Sequence, residues 1–142
     1  MPCKGVDEKL HHTVEMLGRQ HYREYEVIFT FEAESDPAYQ SVQKWTANWT
    51  IPRRLVVAGI ATQRSQKIHN LLAAIDEVSP DREVLVFVDS DAEPAENWPG
   101  YIVAVAERPH CRFNRISLVP CERWHCGRGA LCLERSHNGD AP

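Results

Sequence analysis

The segment Val84-Leu85-Val86-Phe87-Val88 runs without a break into Asp89-Ser90-Asp91. No other feature constrains the fold of this chain as strongly. A continuous apolar run of this length suits a strand covered on both faces, as in a parallel sheet. Two carboxylates then follow at the strand's end. Whatever lies upstream must therefore supply neighbouring strands and the helices that cover them.

The upstream sequence supplies both. Residues 7–20 read as a helix with Leu10, Val14 and Leu17 at helical spacing and Asp7 as N-cap. Tyr25-Glu26-Val27-Ile28-Phe29-Thr30-Phe31 reads as a strand. Asp36-Pro37 starts a helix, with Asp at the N-cap and Pro at the first helical position. That helix is expected to set Val42, Trp45 and Trp49 on one face and to end before Pro52. Leu55–Ile60 is the next strand. Ser65 opens a helix that presents Ile68, Leu71, Leu72, Ile75 and Val78. Pro94 is expected to start a last helical segment, interrupted near Pro99-Gly100. The order αβαβαβα predicts an α/β fold with an open parallel sheet and right-handed crossovers. In such sheets ligands bind beyond the carboxyl ends of the strands, so the loops 32–36, 61–67 and 89–93 are expected to meet at one crevice.

Composition narrows the function classes. A chain of 142 residues carries one domain's worth of core. Its net charge of −4 argues against a general nucleic-acid surface. No apolar run approaches the roughly 18 residues of a membrane span, and residues 1–20 are too polar for a signal peptide. The average hides a break near residue 106. Residues 1–106 hold 10 Lys+Arg against 16 Asp+Glu, a net of −6; residues 107–142 hold 6 Arg against 4 acids, a net of +2. Two segments follow: a body, 1–106, and a Cys/Arg-rich tail, 107–142.

The polar loops offer the chemistry. Asp89 and Asp91 stand two residues apart at a strand end and can share one hard divalent cation, Mg²⁺ or Mn²⁺. That cation could hold a diphosphate and neutralise it as a leaving group. The plainer reading is two solvated acids in a turn. Lys67 and Asn70 lie on the first turns of the 65–78 helix, where backbone N–H groups favour anions; a solvated lysine is the alternative. Asp36 has a sufficient role as a helix cap. Glu32 and Glu34 read as surface acids. Lys4 and Gly5 form a short start able to approach a ligand.

Five segments in order carry a resemblance: Pro2-Cys3-Lys4-Gly5-Val6-Asp7, Tyr25–Phe29, Asp36-Pro37-Ala38, Ser65-Gln66-Lys67-Ile68-His69-Asn70-Leu71-Leu72, and Val86–Asp91. Over about residues 2–106 the chain resembles the donor-binding part of ceramide glucosyltransferase-like glycosyltransferases (family 21, near family 2), which have the GT-A fold. The resemblance implies a nucleotide-sugar donor of the UDP-glucose type, bound with Mg²⁺ or Mn²⁺. Asp36 would lie near the nucleoside, Asp89 and Asp91 on the metal–diphosphate, and Lys67 and Asn70 near the phosphates. It also implies an inverting transfer to a ceramide-like lipid hydroxyl, with a carboxylate base. That base has no counterpart here, so no catalytic residue is assigned. The family's Gln/Arg-x-x-Arg-Trp motif is also without a counterpart, since Pro120 precedes Arg123-Trp124 where Gln or Arg belongs. The strand expected before Pro2-Cys3-Lys4-Gly5 is missing, as are membrane segments. The expectation is a donor-site fragment, inactive by itself. The intact enzyme would be membrane-associated with a cytoplasmic catalytic domain, and this chain alone would be cytoplasmic.

The tail holds Cys111, Cys121, Cys126 and Cys132 with His110, His125 and His137 nearby. The spacing C-x9-C-x4-C-x5-C lacks the tight pairs of structural zinc sites. Its composition, and the end of the family likeness where it begins, are what a shifted reading frame would produce. Three other functions stay open: a non-catalytic nucleotide- or metal-binding remnant, a haloacid-dehalogenase-type phosphatase with Asp89 as nucleophile, and a zinc-stabilised interaction protein.

Overall fold

A computed structural model describes residues 1–106 and the pair 119–120. Its elements are α1 (Glu8–Gly18), β1 (Val27–Phe31), α2 (Pro37–Trp45), β2 (Arg53–Val57), α3 (Gln66–Asp76), β3 (Val84–Leu85), α4 (Trp98–Ala106) and β4 (Val119–Pro120). The expected tail sites, from His110 through His137, lie outside the described residues.

The strand β1 is the centre of the molecule, and all five of its residues are buried. It pairs in parallel with β2, from Val27 opposite Arg53 to Phe31 opposite Val57. Side chains alternate across a strand. Val27, Phe29 and Phe31 therefore share one face, where they join Leu10, Val14 and Leu17 of α1 and Ala38 and Val42 of α2 in the core. Phe29 meets the Trp49 ring, and Phe31 meets Tyr39 edge-on. The opposite face of β1 and β2 is covered by α3. Gly18 ends α1 against Trp49, and a Cβ there would sit 2.6 Å from the indole Cε2, so a larger residue would force the ring to shift.

The helix starts follow their caps. Asp7 accepts from the Leu10 N–H at 2.7 Å, and Asp36 from the Ala38 N–H at 2.9 Å with Pro37 next in the chain. Ser65 accepts from the Ile68 N–H at 3.4 Å.

Several expectations change. The 84–88 run is a ladder strand only at Val84 and Leu85, and its partner is β4, antiparallel. Val86 and Val88 are buried all the same, so the run's hydrophobicity reports burial and not hydrogen-bonded strand. The parallel sheet is correspondingly small. Met1–Cys3 occupies the strand position expected to be empty. The Cys3 N–H donates to the Thr30 carbonyl at 2.8 Å, and the Thr30 N–H to the Met1 carbonyl at 3.0 Å. The Met1 ammonium is buried against the Ile28 carbonyl at 2.7 Å. Burial lowers its pKa to about 6 and pushes the Cys3 thiol up to about 12.

The helix α2 stops at Trp45, and Trp49 reaches the core from the loop beyond it. On α3 the buried residues are Asn70 and Ala74, while Ile68 is 48% exposed. A small residue lets the helix sit close on the sheet, and the bulkier apolar positions fall to its flanks. The last helix begins at Trp98, not Pro94, and passes through Pro99-Gly100 without a break. Proline is tolerated there because the N–H groups of a first turn have no intrahelical acceptor.

Candidate functional site

The carboxyl ends of β1 and β2 open onto four polar segments. The first is Lys4-Gly5, which leaves the Met1–Cys3 edge. Gly5 has φ +65°, a left-handed conformation that suits glycine, and its N–H points at the Asp36 carboxylate at 3.0 Å. The same oxygen of Asp36 caps α2. Asp36 is thus held by two backbone donors, and its fixed position ties the residue 4–5 segment to the start of α2. Lys4 reaches Glu32, Nζ to Oε2 at 2.9 Å, and this contact holds its pKa above the usual lysine value. The sequence alone left Glu32 as a surface acid; its pairing with Lys4 is a tertiary contact between residues 28 apart.

The second group is the first turn of α3 and the loop before it. Gln66, which the sequence reading passed over, is its organiser. Its side-chain oxygen accepts from the Ala61 N–H at 2.8 Å, and its amide nitrogen donates to the Gly59 carbonyl and to Asn70 Oδ1, both at 2.7 Å. Gly59 turns the chain at φ +80°. His69 Nε2 lies 2.8 Å from the Ala58 carbonyl. Asn70 is 3% exposed, and its amide nitrogen contacts the Thr30 carbonyl at 3.4 Å. The structure buries Asn70 against β1, where it braces the helix start. A glutamine at the first helical position has no sequence signature for this role, because its partners are backbone groups of a loop whose path only the fold sets.

The start of α3 meets the last polar segment, the loop after the 84–88 run, directly. Lys67 Nζ lies 2.5 Å from Asp89 Oδ1, joining the start of α3 to the loop after the 84–88 run. Asp89 opens a tight turn in which the Ala92 N–H donates to the Asp89 carbonyl at 3.2 Å. Asp91 lies within that turn, exposed like Asp89. Thr13 of α1 donates its hydroxyl to the Ala92 carbonyl, anchoring the far end of the turn to the body. Asp36 and Asp89 are both close enough to the buried Met1–Cys3 segment to act on its titrating groups. The structure therefore brings Lys4, Asp36, Lys67, Asp89 and Asp91 to one end of the strands.

A divalent cation fits this arrangement only in part through the protein. Asp89 and Asp91 supply hard oxygen donors at an open turn. Among the described residues no three His, Cys, Asp or Glu side chains group as a metal site. A cation held there would draw the rest of its shell from water or from ligand oxygens, which is the habit of Mg²⁺.

The α/β architecture with its small parallel sheet is consistent with an incomplete GT-A-like fold, the class seen in glycosyltransferases. The model of glycosyl transferase family 21 matches residues 1–109, and the chain belongs to that family. Searches of curated proteins and of solved structures each returned no significant match. Family membership supports glycosyl transfer, and so a sugar donor and an acceptor. Among the described residues no helix is long and apolar enough to cross a membrane.

Proposed function

We propose that residues 1–106 form the donor-binding part of a sugar-transfer enzyme, taking a nucleoside-diphosphate sugar of the UDP-glucose type together with Mg²⁺ or Mn²⁺. The observation that carries this reading is the Lys67–Asp89 contact beside Asp91 at the carboxyl end of the strands. It would set a cation, two carboxylates and a helix N-terminus beside one diphosphate. Asp89 and Asp91 would hold the metal, and the bound metal would neutralise the diphosphate as it leaves the sugar. Lys67 and the N–H groups at the start of α3 would face the phosphate oxygens. Asp36, fixed by Gly5 and Ala38, would stand on the nucleoside side. Lys4, a second cation at this end, would flank the donor. Asn70 would act through the loop it braces.

A lipid hydroxyl of the ceramide type is the proposed acceptor, on the strength of the resemblance described above. No side chain among the described residues is assigned as the base that would deprotonate it, so the proposed role of this chain is donor binding. Membrane association of the intact enzyme is part of the same proposal. The tail from residue 107 is proposed to lie outside the donor-binding unit.

Titrating UDP into the chain in the presence and absence of Mn²⁺ tests the reading by calorimetry. Mn²⁺-dependent UDP binding that Asp91→Ala abolishes is the expected result. UDP binding that ignores both Mn²⁺ and Asp91 would remove the metal–diphosphate assignment.

A further inference from the structure

Lys67 stands at the second residue of α3, directly after Gln66. A cation there lies at the positive end of the helix dipole, which disfavours it. The first turn of α3 contains no acidic residue to offset it. The compensating charge comes from another part of the chain: Asp89, at 2.5 Å. Both side chains remain more than half exposed, so the pair is open to exchange and is not locked in the core. Asp91, two residues on, forms no ion pair among the described residues.

From this geometry we infer that Lys67 is an internal stand-in for the divalent cation: it holds Asp89 while the site is empty and passes to the diphosphate when the metal takes that carboxylate. The inference rests on the metal–diphosphate reading above and adds a regulatory property to that site. A metal arriving alone must displace the ammonium from Asp89 and leave it uncompensated at the helix start. A metal arriving with a diphosphate supplies the ammonium with a new anion. Lys67 therefore opposes binding of the free cation and favours binding of the metal–diphosphate pair, which couples the two ligands.

The coupling predicts effects of opposite sign from one substitution. Lys67→Met keeps the length of the side chain and removes its charge. Exposed ion pairs are worth roughly 0.2–1 kcal/mol, which converts to about 1.4- to 5-fold in affinity. Mn²⁺ alone, followed by the electron paramagnetic resonance signal of the free ion, should bind Lys67→Met up to about 5-fold tighter than the unaltered 142-residue chain. UDP titrated at saturating Mn²⁺ should bind the same variant more weakly. Lys67→Arg, which keeps the charge, should behave as the unaltered chain in both titrations. Raising the salt concentration should shrink the difference in Mn²⁺ affinity, because it screens the pair. Unchanged or weaker Mn²⁺ binding by Lys67→Met, in a chain whose Mn²⁺ binding Asp91→Ala weakens, overturns the stand-in role and leaves the metal site standing. Mn²⁺ binding that Asp91→Ala does not weaken overturns the metal reading, and the stand-in role falls with it.

Discussion

The two ends of the β1–β2 pair both carry acids beside bases, yet they treat charge in opposite ways. At the amino end, Glu26 is 2% exposed and lies between Arg54 and Arg82, each with a guanidinium Nε 3.5 Å from a carboxylate oxygen. Arg54 also reaches the Glu77 carbonyl at 2.5 Å and Ser79 Oγ at 3.2 Å, so this cluster ties β1 and β2 to the end of α3 and the turn after it. At the carboxyl end, Lys4–Glu32 and Lys67–Asp89 sit at the surface. Buried charge must be compensated within the protein or the fold loses stability. Exposed charge is compensated by water and can be traded for a ligand. The amino end keeps its charge inside the fold, and the carboxyl end keeps its charge in contact with solvent.

The comparison breaks first at Glu26. Replacing it with alanine removes the buried carboxylate between Arg82 and the half-buried Arg54, which keeps Glu77 at 3.8 Å, and should cost about 3 kcal/mol, near the lower bound for breaking a buried pair. Urea unfolding measures this, and a loss below about 1 kcal/mol would show the cluster to be ornamental.

The Met1 ammonium makes a second, pH-dependent test of buried charge. Its folded pKa of about 6 lies below the ordinary value of 8.0, so the unfolded chain binds more protons between those pH values. Its contribution to stability therefore rises with pH across the 6–8 window, and the penalty is complete below about pH 6. At 1.36 kcal/mol per pKa unit the full effect is on the order of 2–3 kcal/mol. Comparing the chain with its N-terminally acetylated form isolates this group from the histidines. Parallel stability curves for the two forms would remove the ammonium as the cause.

Gly18→Ala should cost about 1–2 kcal/mol, because the added methyl meets the Trp49 ring while the gain in helix propensity offsets part of the strain. A thermal midpoint at or above that of the unaltered chain would mean that Trp49 moves freely. Asp36→Ala should cost about 1 kcal/mol through the lost cap, whereas Asp36→Asn, an equally good cap, should cost only a few tenths. If the asparagine variant also loses UDP binding at unaltered stability, the charge of Asp36 serves the ligand and not the helix. The smallest effect on folding belongs to Asp89→Asn at the open end: within about 0.5 kcal/mol, as for exposed substitutions generally. A larger loss would place Asp89 among the residues that hold the fold.

Local sequence fixed three things reliably, each through a short-range cause. Asp7, Asp36-Pro37 and Ser65 marked helix starts because a cap acts within three residues. The apolar content of 27–31 marked the central strand because burial requires it. The ordered motifs across residues 2–91 were enough to place the chain near family 21 glycosyltransferases. Tertiary structure decided the rest. Whether Val86 and Val88 lie in a ladder depends on which chain segment runs alongside them, and no local propensity contains that. The face that α3 buries, at Asn70 and Ala74, is set by how closely the helix approaches β1 and not by where its larger apolar residues lie. The partners of Lys4 and Lys67, and the fork made by Gln66, join residues distant in sequence or loop backbone whose path the fold dictates. Residue types announced the chemistry available to this chain, and only the return of distant segments to one end of a sheet decided which charges meet.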